Sequence, residues 1–228
     1  MLTIRYHGHD CFEFDDGARR VLIDPFLGGN PLADVGPDSF RTLDAIIVTH
    51  GHGDHVGDAA SIAKRTGALV VSNFEIVAYL ERQGCKGHPL HIGGGRTFPF
   101  GHVKLTIAHH GSTGPNGEAL GAPCGVVLTM GGKKVYHAGD TGLFLDMKLI
   151  GEAWGPLDAA LLPIGDNFTM DVADAVRAAS FLGAAVNVPM HYNTFDLIKA
   201  DPEDFRRRVE AAGGKALVVP PGGSLTLE

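Results

Sequence analysis

The 228-residue sequence is short of several things, and each shortage removes a class of protein. It has three cysteines, Cys11, Cys85 and Cys124, widely spaced and with no CxxC pair, so neither a disulfide framework nor a thiolate metal knuckle is expected. Positive charge is scarce: 19 Lys and Arg face 26 Asp and Glu, a formal net charge of −7. That balance gives nucleic acid or an anionic membrane no electrostatic footprint. No apolar run approaches the 18 or so residues of a membrane span, and the first ten residues lack the basic-then-apolar pattern of a signal peptide. A cytoplasmic protein acting on a small molecule is expected, with homo-oligomerisation neither required nor excluded. With 44% hydrophobic and 20% charged residues the chain is an ordinary globular one, expected to form a single domain over 1–228.

What is abundant is glycine, 32 residues, and histidine, 12. Glycine at about twice its usual ~7% share implies tight turns and a site built on loops. The histidines concentrate at Thr49-His50-Gly51-His52-Gly53-Asp54-His55, directly after the β-branched run Ala45–Val48, which predicts a buried strand. In extended backbone His50 and His52 share a side and can grip one ion. Asp54 and His55 are adjacent, so they reach a common site only through a sharp turn, for which Gly51 and Gly53 supply freedom. Imidazole and carboxylate without sulfur suit zinc, manganese or iron.

Along the chain, Leu2–Tyr6, Cys11–Phe14 and Val21–Pro25 read as strands, followed by a Gly- and Pro-rich loop over 27–42. A helix is expected from Asp54 through Ala63, stopped at Gly67, then a strand over 68–71 and a helix from Asn73 to Gln83. From residue 96 the pattern changes to consecutive strands near 96–98, 103–108, 125–129 and 134–136. A weak helix over 146–154, a strand over 159–162, a helix over 171–182 with Thr169 as candidate N-cap, and a strand over 185–188 follow. A helix over 202–212 and two strands close the chain. Strands followed by helices occur twice, which predicts two similar halves. Isolated His and Asp residues recur at the downstream strand ends, including Asp24, His109-His110, His137, Asp140, Asp166 and His191. Strand ends sharing one rim can bring such residues together. Period-2 alternation does not choose between His109 and His110.

His50-x-His52-x-Asp54-His55, with His110, Asp140 and His191 in that order, resembles the ligand set of the metallo-β-lactamase superfamily. Within it the chain resembles the compact metal-dependent hydrolases related to ascorbate-6-phosphate lactonase and N-acylphosphatidylethanolamine phospholipase D. Tyr6–His9, Leu22–Phe26, His137–Gly142, Gly165–Met170 and His191–Thr194 carry the likeness. The resemblance implies an α/β four-layer αββα sandwich and two divalent metal ions, zinc favoured over manganese or iron. His50, His52 and His110 would hold the first ion, Asp54, His55 and His191 the second, and Asp140 would bridge. Asp54 and Asp140 would serve catalysis, while Asp24, His137 and Asp166 would orient ligand imidazoles from behind. His9 and Asn193 would lie close by, behind the ligands or against substrate. The implied activity is hydrolysis of a small ester, lactone or phosphodiester; the alternatives are an iron redox protein on the same ligands and a non-catalytic metal binder.

Overall fold

The computed structural model describes residues 1–228, and its strands form two sheets. The first half of the chain supplies β1 (Leu2–Tyr6), β2 (Phe12–Asp15), β3 (Arg20–Ile23), β4 (Ala45–Ile47), β5 (Leu69–Asn73) and β6 (Lys86–Leu90). The second half supplies β7 (Gly95–Phe98), β8 (Gly101–Ile107), β9 (Cys124–Met130), β10 (Lys133–His137), β11 (Ala159–Pro163) and β12 (Val186–Met190). Each half begins with antiparallel strands, β1 to β3 and β7 to β10, and continues in parallel through β6 or β12. The last strand, β13 (Ser224–Leu227), returns to the first sheet and pairs antiparallel with β1.

Alternation sorts the first sheet's side chains between its two faces. Val21, Ile23, Ala45, Ile47 and Val71 enter a core of 44 buried residues shared with the second sheet. Their neighbours Leu22, Ile46, Val48 and Val70 face outward, against α2 (Ala59–Thr66) and α3 (Phe74–Glu81). On the second sheet α5 (Val172–Leu182) packs on β11, flanked by α4 (Met147–Trp154) and α6 (Pro202–Ala211). The order is helix, sheet, sheet, helix. Each fully buried Ile or Leu at the sheet interface contributes about 1.5–3 kcal/mol, which is why the two sheets stay face to face.

Four sequence expectations change. The helix read from Asp54 to Ala63 is two: a single turn, α1 (Gly53–Val56), and then α2. Gly57 separates them at φ +39°, and a Cβ there would meet the Pro25 carbonyl oxygen at 2.5 Å. Strand β6 went unread because Lys86-Gly87-His88-Pro89-Leu90 has no β-branched residue; as the edge strand it tolerates Pro89. Asp171, not Thr169, caps α5, its carboxylate accepting from the Asp174 amide. Of the two closing strands only β13 forms; Ala216 makes an isolated bridge to Asn187.

Candidate metal centre

The strand ends on one rim carry the chemistry. His9 follows β1, Asp24 follows β3, residues 50–55 follow β4, His110 follows β8, Asp140 follows β10 and His191 follows β12. Past β4 the chain extends through His52, which caps α1, and that one helical turn lets both Asp54 and His55 reach the centre. Gly51 is required by space rather than by φ. A Cβ there would sit 2.7 Å from Leu120 Cβ and 2.8 Å from the Ser112 carbonyl oxygen. The same loop fixes the turn, because Ser112 Oγ accepts the Gly51 amide at 3.0 Å and donates to the Leu120 carbonyl. Gly53 is under no such constraint; its nearest neighbour is Pro115 Cγ at 3.8 Å.

Two donor clusters result, His50, His52, His110 and Asp140 in one, His9, Asp54, His55 and His191 in the other. His50 Nε2 and His110 Nε2 lie 3.0 and 3.2 Å from His52 Nδ1. Asp140 stands between the clusters, with Oδ2 3.3 Å from His110 Nε2 and 3.1 Å from His191 Nε2, and Oδ1 3.4 Å from His55 Nε2. Asp140, His50, His55 and His191 are buried, while His52 and Asp54 are half-buried and give the centre its open side.

Hydrogen bonds set the tautomers. Thr49 Oγ1 donates to Asp24 Oδ2 at 2.6 Å, so it must accept from His50 Nδ1 at 3.0 Å, which leaves the Nε2 lone pair of His50 free. Asp24 also accepts from the Thr49 amide and from His55 Nδ1, the latter at 2.9 Å, which frees His55 Nε2. Asp24 therefore orients ligand imidazoles by a chain of bonds. His137 has neither nitrogen to spare: Nδ1 accepts from the Gly139 amide and Nε2 donates to the Asp10 carbonyl at 3.0 Å. It ties the second sheet to the loop after β1 and touches no ligand imidazole through a hydrogen bond.

The donor set fits a cation. Three imidazole nitrogens converging at 3.0–3.2 Å repel one another unless something positive lies between them, and ligands about 2.0–2.1 Å from a tetrahedral zinc stand about 3.3 Å apart. His55 Nε2 and Asp140 Oδ1 are buried with no hydrogen-bond partner, a state that costs about 1–3 kcal/mol per group unless an ion satisfies them. Burial, with positive neighbours, holds His50, His52 and His110 below the usual imidazole pKa, so that trio is neutral and ready to ligate. Burial also works against charge on His191, but Asp140 prevails and raises it to about 9. His55 is raised likewise by Asp140 and Asp24.

The sequence profile of the β-lactamase superfamily domain matches residues 19–192. The chain belongs to the metallo-β-lactamase superfamily. It is 50% identical to a UPF0173 metal-dependent hydrolase of Desulfitobacterium hafniense and 51% identical to one of Heliobacterium modesticaldum, the matches covering 98–100% of every chain. The metallo hydrolase Igni18 of Ignicoccus hospitalis has the same fold, with a TM-score of 0.92 and 40% identity over 100% of this chain and 98% of that one. This member of the superfamily is thus a metal-dependent hydrolase.

The superfamily ligand pattern meets this chain unevenly outside the two clusters. His109 is exposed, its ring stacked on Phe144 at 5.1 Å, while His110 turns inward; β8 ends at Ile107, so strand alternation had stopped before either residue. Asp166 is a correction: it is exposed, at φ +58°, and turns the loop before Met170 without a side-chain bond to any imidazole. Asn193 is exposed two residues after His191, and its Oδ1 accepts the Ala200 amide, bracing the loop after β12. His9 is fully buried, with Nε2 3.2 Å from Asp54 Oδ2 and Nδ1 2.9 Å from Thr194 Oγ1. Sequence reasoning missed Thr49, Thr194, Ser112 and Asp10. Thr49 adjoins the ligand motif and was the one within reach of a sequence signal. Asp10 is buried with both carboxyl oxygens unpartnered, and burial raises its pKa well above the usual carboxyl range.

Proposed function

We propose that the chain hydrolyses a small ester, lactone or phosphodiester with the help of two divalent cations, zinc in preference to manganese or iron. His50, His52 and His110 would hold one ion, and Asp54, His55 and His191 the other, with Asp140 bridging and His9 close enough to the second to join it. The observation that carries this reading is the Asp140 carboxylate, within 3.1–3.4 Å of imidazole nitrogens from both clusters. Cations held there supply Lewis acidity, lowering the pKa of a water towards 7 and steadying a developing oxyanion. Burial opposes ionisation of Asp54, but its hydrogen bond with His9 and the nearby His55 outweigh that and keep its pKa below the ordinary range. A half-exposed, ionised Asp54 can orient the attacking water, take its proton and pass it to the leaving group. Thr194 and His9 hold that carboxylate in place from behind. The three cysteines are buried and unpaired, which supports a reducing compartment, the cytoplasm.

Metal analysis of anaerobically purified protein by mass spectrometry, followed by an ester, lactone and phosphodiester panel, tests the proposal. His52→Ala and Asp140→Ala are expected to lose both bound metal and hydrolysis. Full occupancy in either variant would overturn the ligand assignment.

A further inference from the structure

The open side of the centre has a chemical character of its own. Six loops surround it, residues 24–40 after β3, 48–58 after β4, 108–123 after β8, 138–146 after β10, 164–171 after β11 and 191–201 after β12. They carry acids in every loop and one cation, Lys199, which is paired with Asp196 at 2.8 Å. The next cation along the first loop, Arg41, belongs to the opposite rim: by Asp44 the chain is back at the start of β3, where that carboxylate binds Arg19 and the Arg20 amide. The helix end nearest the metals is no substitute, since α1 is a single turn whose first residues already include the Asp54 carboxylate.

On the side of His9 the wall is aromatic. Phe26 and Phe195 meet the His9 ring edge-on at 5.6 and 5.5 Å and lie 6.2 Å from each other, one residue removed from Asp54. Phe195 is 40% exposed, and it comes from the same loop as the still more exposed Leu197. Exposed aromatics beside a polar reaction centre are a usual way to hold the apolar part of a ligand.

We propose that the site takes an uncharged carboxylic ester or lactone whose apolar acyl part rests on Phe26 and Phe195, and that it has no seat for a second anionic group remote from the scissile bond. This rests on the metal-dependent hydrolysis described above and narrows its substrate. Water adds across the acyl–oxygen bond, giving a carboxylate, a proton and the alcohol, or a hydroxy acid from a lactone. A phosphorylated substrate would bring a dianion to a rim of carboxylates with no free guanidinium or ammonium to receive it.

Two measurements on the metal-loaded protein test this. The first compares 4-nitrophenyl acetate with the hexanoate, and a phosphorylated lactone with its unphosphorylated counterpart. Full burial of a methylene corresponds to about fourfold in binding, so even partial burial of four of them should raise kcat/KM for the hexanoate about tenfold or more. In Phe195→Ala and Phe26→Ala, with metal content unchanged, the hexanoate-to-acetate ratio should fall about fivefold. The second measurement is ligand-observed NMR with hexanamide, whose line broadening should weaken in Phe195→Ala. Indifference to acyl length, or preference for the phosphorylated lactone, overturns the inference. If no substrate is turned over at full metal occupancy, the hydrolytic reading fails separately, and the hexanamide titration still decides whether an apolar seat exists.

Discussion

Thr49→Val isolates one link in the metal centre. The substitution keeps the β-branched shape at the end of β4 and removes only the hydroxyl, which donates to Asp24 Oδ2 at 2.6 Å and accepts from His50 Nδ1 at 3.0 Å. The bond to the carboxylate is short and charge-assisted, of the kind that contributes about 1.5–3 kcal/mol. Its loss also leaves a buried His50 N–H without an acceptor, about 1–3 kcal/mol more. Because Asp24 still receives His55, the damage should fall on the ion proposed for His50, His52 and His110. Removing a partner that orients a ligand typically weakens metal binding 10–100-fold, or about 1.4–2.8 kcal/mol. Chelator competition resolves two stepwise constants: one is expected to fall by that factor and the other to stay within about threefold. Thr49→Ser should restore the first. Two unchanged constants in the Val variant, or an equal fall in both, would refute the reasoning that this hydroxyl fixes the His50 tautomer.

Three further outcomes can be checked independently. Gly51→Ala drives a Cβ to 2.7 Å from Leu120 Cβ, an overpacking expected to cost about 1–3 kcal/mol in a thermal or denaturant melt and to loosen the first ion. His191 is raised to about 9 in the metal-free chain, so binding of the second ion must displace its proton, and affinity should climb up to about tenfold per pH unit towards pH 9. In the metal-free chain the same raised pKa contributes stability that is complete below about pH 6.5 and lost as pH rises through about 9, a trend a melt series should show and metal loading should abolish. His9→Phe keeps an aromatic ring beside His191 but removes the contacts to Asp54 and Thr194; hydrolysis should fall about 10–100-fold while the ion held by His50, His52 and His110 stays bound.

What the sequence made legible was whatever a local signal could carry. The Ala45–Val48 run followed by His50, His52, Asp54 and His55 combines strand propensity with ligand chemistry in eleven residues, and Gly67, at φ +75°, stops α2 as its position predicted. Tertiary partners left no such mark. Thr194 reaches His9 across 185 positions, and Ser112 reaches Gly51 across 61; the His191–Thr194 stretch carries the family likeness, but no local signal gives either hydroxyl its partner. Asp166 shows the opposite case. It occupies a strand end at φ +58°, as Asp24 and His191 do at +46° and +54°, so neither position nor backbone marks it off; it differs in being exposed and in making no bond to a donor imidazole.

Each donor cluster draws on both sheets: His50 and His52 meet His110 and Asp140, and His9, Asp54 and His55 meet His191. The consequence reaches into synthesis. A chain still on the ribosome cannot close the first cluster until Asp140, after β10, has emerged, nor the second until His191, after β12, has followed. The first sheet must wait for its other half, and even β1 gains its edge partner only when β13, the final strand, arrives. Assembly of the second cluster is thereby deferred until residue 191, and an ion captured at either cluster would link the first and second halves across the interface their side chains built.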